Sequence, residues 1–131
     1  MKTDYSEIAT IYDKQAPASA NFTTLQLAYN YGNVSKEALT VAARAAERTW
    51  RQSISEIRAL HFPAAKQRRM MKRFAQSMEY RVMSAEACIR WLQTDNPEDM
   101  IAIEHLGVTA TQILKDFHKD LFLYRLKHAK T

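Results

Sequence analysis

Four histidines and one cysteine are the residues of this chain best suited to bond-making chemistry: His61, His105, His118, His128 and Cys88. A di-iron bundle needs Glu-x-x-His on paired helices, and a zinc-binding helix needs His-x-x-x-His. Neither spacing occurs. Glu104 and His105 are adjacent, so on a helix they point to different sides. No metal or other cofactor is expected. Cys88 and His105 imitate a nucleophile and its base, but Cys88 adjoins an apolar stripe, where cysteine packs as a small hydrophobe. Only Arg81 or Arg90 is at hand to stabilise a thiolate. Gly32 and Gly107 stand alone and make no phosphate loop. The chain is read as non-enzymatic, with no catalytic residue assigned.

The other chemistry on offer is charge. The net charge is +5, a balance that favours acidic partners. Lys66, Arg68, Arg69, Lys72 and Arg73 form the densest basic cluster, and they are the candidate patch for an anionic partner. On a helical wheel they spread around much of the circumference and spare Met71 and Phe74. No recognition helix with a preceding turn and glycine accompanies them. Nucleic acid is therefore a possible partner but not the favoured one, and a solvated helix face explains the cluster better.

The elements that carry these residues are helical throughout. Two glycines and three prolines in 131 residues leave long stretches free of helix breakers. Ile8, Ile11 and Tyr12 suit one face of a short helix, and Pro17 interrupts the pattern, so residues 1–21 read as an N-terminal arm or short docking helix. From Phe22 the apolar spacing becomes regular, and residues 22–131 read as one helical bundle domain. Gly32-Asn33 either bends or ends the first long helix, with Ser35 suited to cap a new one. Leu39, Ala43, Ala46, Trp50, Ser53, Ile57 and Leu60 then repeat every seven residues, a coiled-coil-like seam. Phe62-Pro63 stops it. The next helix is predicted from Pro63 to Leu92, with Met71, Phe74, Met78, Val82, Ala85, Ile89 and Leu92 as its stripe. Asp95 or Asn96, Pro97, Glu98 and Asp99 signal another helix start. The last helix shows Ile103, Leu106, Ala110, Ile113, Leu114, Phe117, Leu121 and Tyr124, with Lys127, His128 and Lys130 suiting its negative end. The expected fold is all-α: an elongated antiparallel bundle of three long helices with a short N-terminal helix or arm.

Apolar residues exceed what three rods can hide. Leu121-Phe122-Leu123-Tyr124 cannot all face one core, because a helix turns about 100° per residue. Ile54 beside Ser53, Met70 beside Met71 and Trp91 beside Leu92 repeat the excess. It means either a wider core, as four helices would provide, or a surface that meets something apolar. The candidate residues for a hydrophobic surface or oligomer contact are Leu39, Trp50, Ile54, Ile57, Phe74, Met78, Phe117, Leu121 and Phe122, each equally suited to a bundle core. A homo-oligomer is expected. No run of eighteen apolar residues exists to span a membrane, and the N-terminus lacks the apolar core of a signal peptide. With a single cysteine, the chain reads as cytoplasmic.

Three stretches carry a family resemblance. Phe22-Thr23-Thr24-Leu25-Gln26-Leu27-Ala28, the seam from Leu39 to Leu60, and Thr94-Asp95-Asn96-Pro97-Glu98-Asp99 followed by Met100-Ile101-Ala102-Ile103-Glu104 together resemble the phasins, helical proteins that coat polyhydroxyalkanoate storage granules. The likeness covers roughly residues 22–128. It implies a non-catalytic amphipathic coat protein, associated with granules in the cytoplasm, whose apolar face adsorbs to the polyester while its charged face stays in water. The alternatives are a basic helical protein that associates with nucleic acid, and a helical scaffold or chaperone subunit that packs against a protein partner.

Overall fold

The structure, a computed structural model, describes residues 5–128. Four helices pack against one another: α1 (Tyr5–Asn30), α2 (Lys36–Arg58), α3 (Ala65–Thr94) and α4 (Pro97–His128). The expected three-helix bundle is thus a four-helix one. Residues 5–21, expected as an arm or short helix, are the first half of a single 26-residue helix that carries Pro17 inside it. Residues 1–4 of that arm, Lys130, and the side chains of Tyr124, Lys127 and His128 lie outside the described residues.

Packing overrides the helix-breaking tendency of Pro17. Ile8, Ile11, Gln15 and Phe22 are all buried, so α1 has an inward face on both sides of the proline. Pro17 and Asp13 are exposed, and the carbonyl deprived of its donor lies on the solvent side. Polar contacts add to the apolar ones. The Trp50 indole N–H donates to Ser19 Oγ at 2.9 Å, and the Ser19 hydroxyl donates to Gln15 Oε1 at 2.8 Å. These bonds give the indole N–H of a buried tryptophan and the side-chain carbonyl of a buried glutamine their partners, as burial requires.

Gly32 ends α1 rather than bending it. Its φ of 74° is the left-handed conformation that glycine adopts without cost. The Asn33 N–H donates to the Ala28 carbonyl at 2.8 Å and the Gly32 N–H to the Tyr29 carbonyl at 2.9 Å, the paired bonds of a Schellman motif. Ser35 then caps α2, accepting from the Ala38 N–H at 3.1 Å. At the other end of α2, the Arg68 guanidinium donates to the Phe62 and Pro63 carbonyls and ties the turn together. Asp95, at a positive φ of 56°, closes α3, and Asn96 Oδ1 accepts from the Glu98 N–H to open α4.

Helices pack in chain order: α1 on α2, α2 on α3, α3 on α4. Each pair runs antiparallel, since Arg51 meets Glu86 while Arg58 meets Glu79, and Ser77 meets Ala110 while Ser84 meets Ile103. The α3–α4 contact is made along small residues. Ser77 and Ser84 donate their hydroxyls to the Ala110 and Ile103 carbonyls at 2.9 and 3.0 Å, and Gly107 lies opposite Ser84. The predicted seams of α2 and α3 do form the core: Leu39, Ala43, Trp50, Phe74, Met78 and Leu92 are sealed from solvent. Ile54 and Met70, part of the apolar excess, are buried too, because the fourth helix widens the core.

Pro17→Ala restores a helix hydrogen bond at an exposed position and should raise unfolding stability by about 1–3 kcal/mol; a lowered urea midpoint would contradict this account of α1. Phe74→Ala removes the ring stacked on Phe117, and should cost about 3–5 kcal/mol in the same measurement.

Candidate hydrophobic interface and cleft

The two outer helices, α1 and α4, share no backbone contact among the described residues. They are joined through side chains at one end. Phe74 of α3 stacks on Phe117 of α4, with centroids 4.5 Å apart and planes inclined at 14°. Tyr12 of α1 tilts onto Phe74 at 6.1 Å, and its hydroxyl lies 2.9 Å from His118 Nε2. Desolvation holds the His118 imidazole below its ordinary value of 6.5, so the neutral ring is the form this junction favours.

Away from this clasp the seam opens into a cleft of about 690 Å³. Leu27 of α1 and Met100, Ile103 and Val108 of α4 line it, and Trp50, Arg81 and Trp91 are also on its walls. Leu27, Met100 and Val108 are each at least half exposed.

Helix α4 is apolar on two sides. Ala110 and Phe117 face the core at 0% exposure. On the opposite side, Met100, Ile101 and Val108 form one exposed group near the start of the helix, and Phe122, Leu123 and Leu126 form another near its end. At 100° per residue all six fall within an arc of about 140°. Thr111, Lys115 and Lys119 occupy the stretch between the groups. Together the six side chains offer on the order of 600 Å² of surface, which at about 25 cal/mol per Å² would contribute on the order of 10 kcal/mol when covered, before ordering costs.

The residues named from sequence divide sharply against this geometry. Leu39, Trp50, Ile54, Ile57, Phe74, Met78 and Phe117 are buried, and in the closed chain they are core rather than contact surface. Leu121 is half-buried. Phe122, 60% exposed, is the one of the nine that faces solvent. The basic cluster is similarly split. Arg68 is spent on the α2–α3 turn, and Arg73 pairs with Asp120 of α4 at 3.0 Å. Lys66, Arg69 and Lys72 remain exposed with no ion pair among the described residues. Cys88 is sealed in the core, and burial pushes its thiol up to about 11, so it stays protonated at neutral pH. Among the described residues, no group of three His, Cys, Asp or Glu is placed to hold a metal, and no helix is long and apolar enough to cross a membrane.

Sequence reasoning missed Arg81. On the helical wheel of α3 it falls within about 20° of Met70, Phe74, Cys88 and Leu92, all of them buried. A charge in the middle of an apolar stripe was the signal available. Its Nε is buried with no hydrogen-bond partner, and its guanidinium carbon lies 6.0 Å from the centroid of the Trp50 ring.

Comparison of the chain with protein-family models, curated proteins and solved structures finds no match.

Because the native state resists protonation of His118 while the unfolded chain protonates it near 6.5, the unfolded state binds more protons below that pH. Stability should therefore be full above pH 6.5 and decline as pH falls below it. The decline from pH 7.5 to 5.0, followed by urea midpoints, should be shallower in His118→Gln; an identical slope in the two proteins would exclude this histidine as a source.

Proposed function

We propose that this chain is a phasin-like, non-catalytic coat protein that adsorbs through the outer face of α4 to the apolar surface of intracellular polyester granules. The observation that carries this reading is the second apolar side of α4. Phe122 and Ile101 are each 60% exposed on a helix whose opposite side already fills the core. Burying a helix on one side accounts for one stripe, and a second stripe calls for a second apolar environment. The resemblance of the stretches 22–28, 39–60 and 94–104 to phasins supports the choice of a polyester surface, and helices none of which, among the described residues, can cross a membrane suit a protein that lies on a surface.

The mechanism is one of wetting. The six side chains of α4 leave water for the polymer, while the charged residues of α2 and α3 stay hydrated. A granule so covered presents charge to its neighbours, which opposes coalescence. In free solution the same face is hidden by self-association, the basis for a homo-oligomer. The basic cluster gives less support to a nucleic-acid reading, because Arg68 and Arg73 have partners within the chain.

Purified protein should partition onto polyhydroxybutyrate particles as an accepted phasin does. Raising salt from 0.05 to 0.5 M should leave the partition unchanged, whereas phosphate contacts would weaken steeply. The double variant Ile101→Ser, Phe122→Ser should lose at least tenfold in particle affinity with its helical circular dichroism intact. Failure of the wild-type chain to partition, or loss of binding with salt, would overturn the reading.

A further inference from the structure

We propose that the cleft between α1 and α4 binds an alkyl monocarboxylate, with Arg81 holding the carboxylate and the apolar walls holding the chain. The cleft shares Met100 and Val108 with the adsorbing face of α4, but Arg81 and the α1 and α3 walls belong to the cleft alone.

Arg81 sets a charge among the buried Met70, Phe74, Cys88 and Leu92. Arginine keeps its proton in proteins, so the guanidinium of Arg81 is a cation within the apolar stripe of α3. Burial penalises that charge and draws its pKa down. Native proteins pair such a charge or fill its hydrogen bonds. Here the Nε has no hydrogen-bond partner, and no carboxylate forms an ion pair with Arg81 among the described residues. The face of Trp50, 6.0 Å away, answers the charge in part but accepts no N–H bond in the plane of the guanidinium. With the Nε sealed from solvent, a carboxylate in the cleft would meet the terminal guanidinium nitrogens, where its two oxygens match two parallel N–H donors.

The walls of the cleft set the remainder of the ligand. Leu27, Trp91, Met100, Ile103 and Val108 give the cleft an apolar strip among polar lining residues such as Gln26, Thr111 and Gln112, and that strip suits a hydrocarbon chain. From Arg81 to Trp91 is ten residues of α3, about 15 Å along the axis, the reach of an extended chain of roughly ten to twelve carbons. The volume of about 690 Å³ is in the range of small-molecule sites. Charge also sets direction. Glu104 and Lys115 both lie on the α4 wall and are exposed, so the α4 rim carries no net charge. The cation of Arg81 on the α3 wall therefore decides where the anionic head sits.

The test is calorimetric titration of the full-length protein with decanoate below its micelle concentration, followed also by tryptophan fluorescence. Decan-1-ol and decyltrimethylammonium are the comparison ligands. The expected result is saturable binding of one decanoate per chain, with the alcohol at least tenfold weaker and the cation without effect. Arg81→Met keeps an unbranched apolar stem and removes the charge; it should weaken decanoate at least tenfold and leave decan-1-ol unchanged. Val108→Glu, at an exposed position on the rim, should weaken decanoate by a similar factor and serves if Arg81→Met misfolds. Ile101→Ser, Phe122→Ser lies outside the cleft and should bind decanoate normally. Equal binding of acid and alcohol, undiminished decanoate binding by Arg81→Met, or no saturable binding at all would overturn the assignment.

Discussion

Tyr12, Phe74, Phe117 and His118 bring three helices to one point, and the shape of the chain follows from that contact. Packing in chain order leaves α1 and α4 as the outer members of a row. A row of four closes into a bundle only if its ends meet, and here they meet where the Tyr12 and His118 rings pack edge to face at 5.2 Å and the hydroxyl lies 2.9 Å from the imidazole. Both are side-chain contacts at one end of the seam. At the other end the gap is left lined with Leu27, Met100 and Val108. The clasp and the cleft are thus two consequences of one arrangement.

The same arrangement explains the division of apolar surface. Helices α2 and α3 have neighbours on both sides, so their wide stripes disappear into the core, Ile54 and Met70 included. Helix α4 has one neighbour. Its inner arc, with Ala110 and Phe117, meets α3 across small residues, and its outer arc leaves Ile101, Phe122, Leu123 and Leu126 exposed. Placing Phe122 and Ile101 on that outer arc leaves an adsorbing face available without unfolding the bundle, which is how the proposed coat would work.

Much of this fold was legible in the residues. The seven-residue seam through Leu39, Trp50 and Ile57 and the start at Pro97 rest on local chemistry and fall where that chemistry puts them, while α2 ends at Arg58, ahead of the stop expected at Phe62-Pro63, and α3 begins at Ala65, just past it. Pro17 misled because the missing N–H is a local penalty, while the burial of Ile8, Ile11 and Phe22 that outweighs it depends on α2, distant in sequence. Gly32 allowed two outcomes until its positive φ decided between them. The site was less legible than the fold. A heptad pattern tells which side chains are apolar, not which neighbour covers them, so Leu39 and Phe74 could not be separated from Phe122. Arg81 was visible as a misplaced charge, but its meaning required knowing that no acid on another helix reaches it.

Packing in chain order also bears on how the protein assembles and comes apart. Each helix finds its partner in the segment that follows it, across turns of six residues or fewer between α1 and α2, α2 and α3, and α3 and α4. Little chain must be looped out before contacts form, a topology of low contact order that folds quickly. The outermost helices, each held along one side, are the natural first units to detach in partial opening, while α2 and α3 protect one another. Amide exchange slowest in the middle two rods and fastest in the flanking pair would be the kinetic imprint of that row.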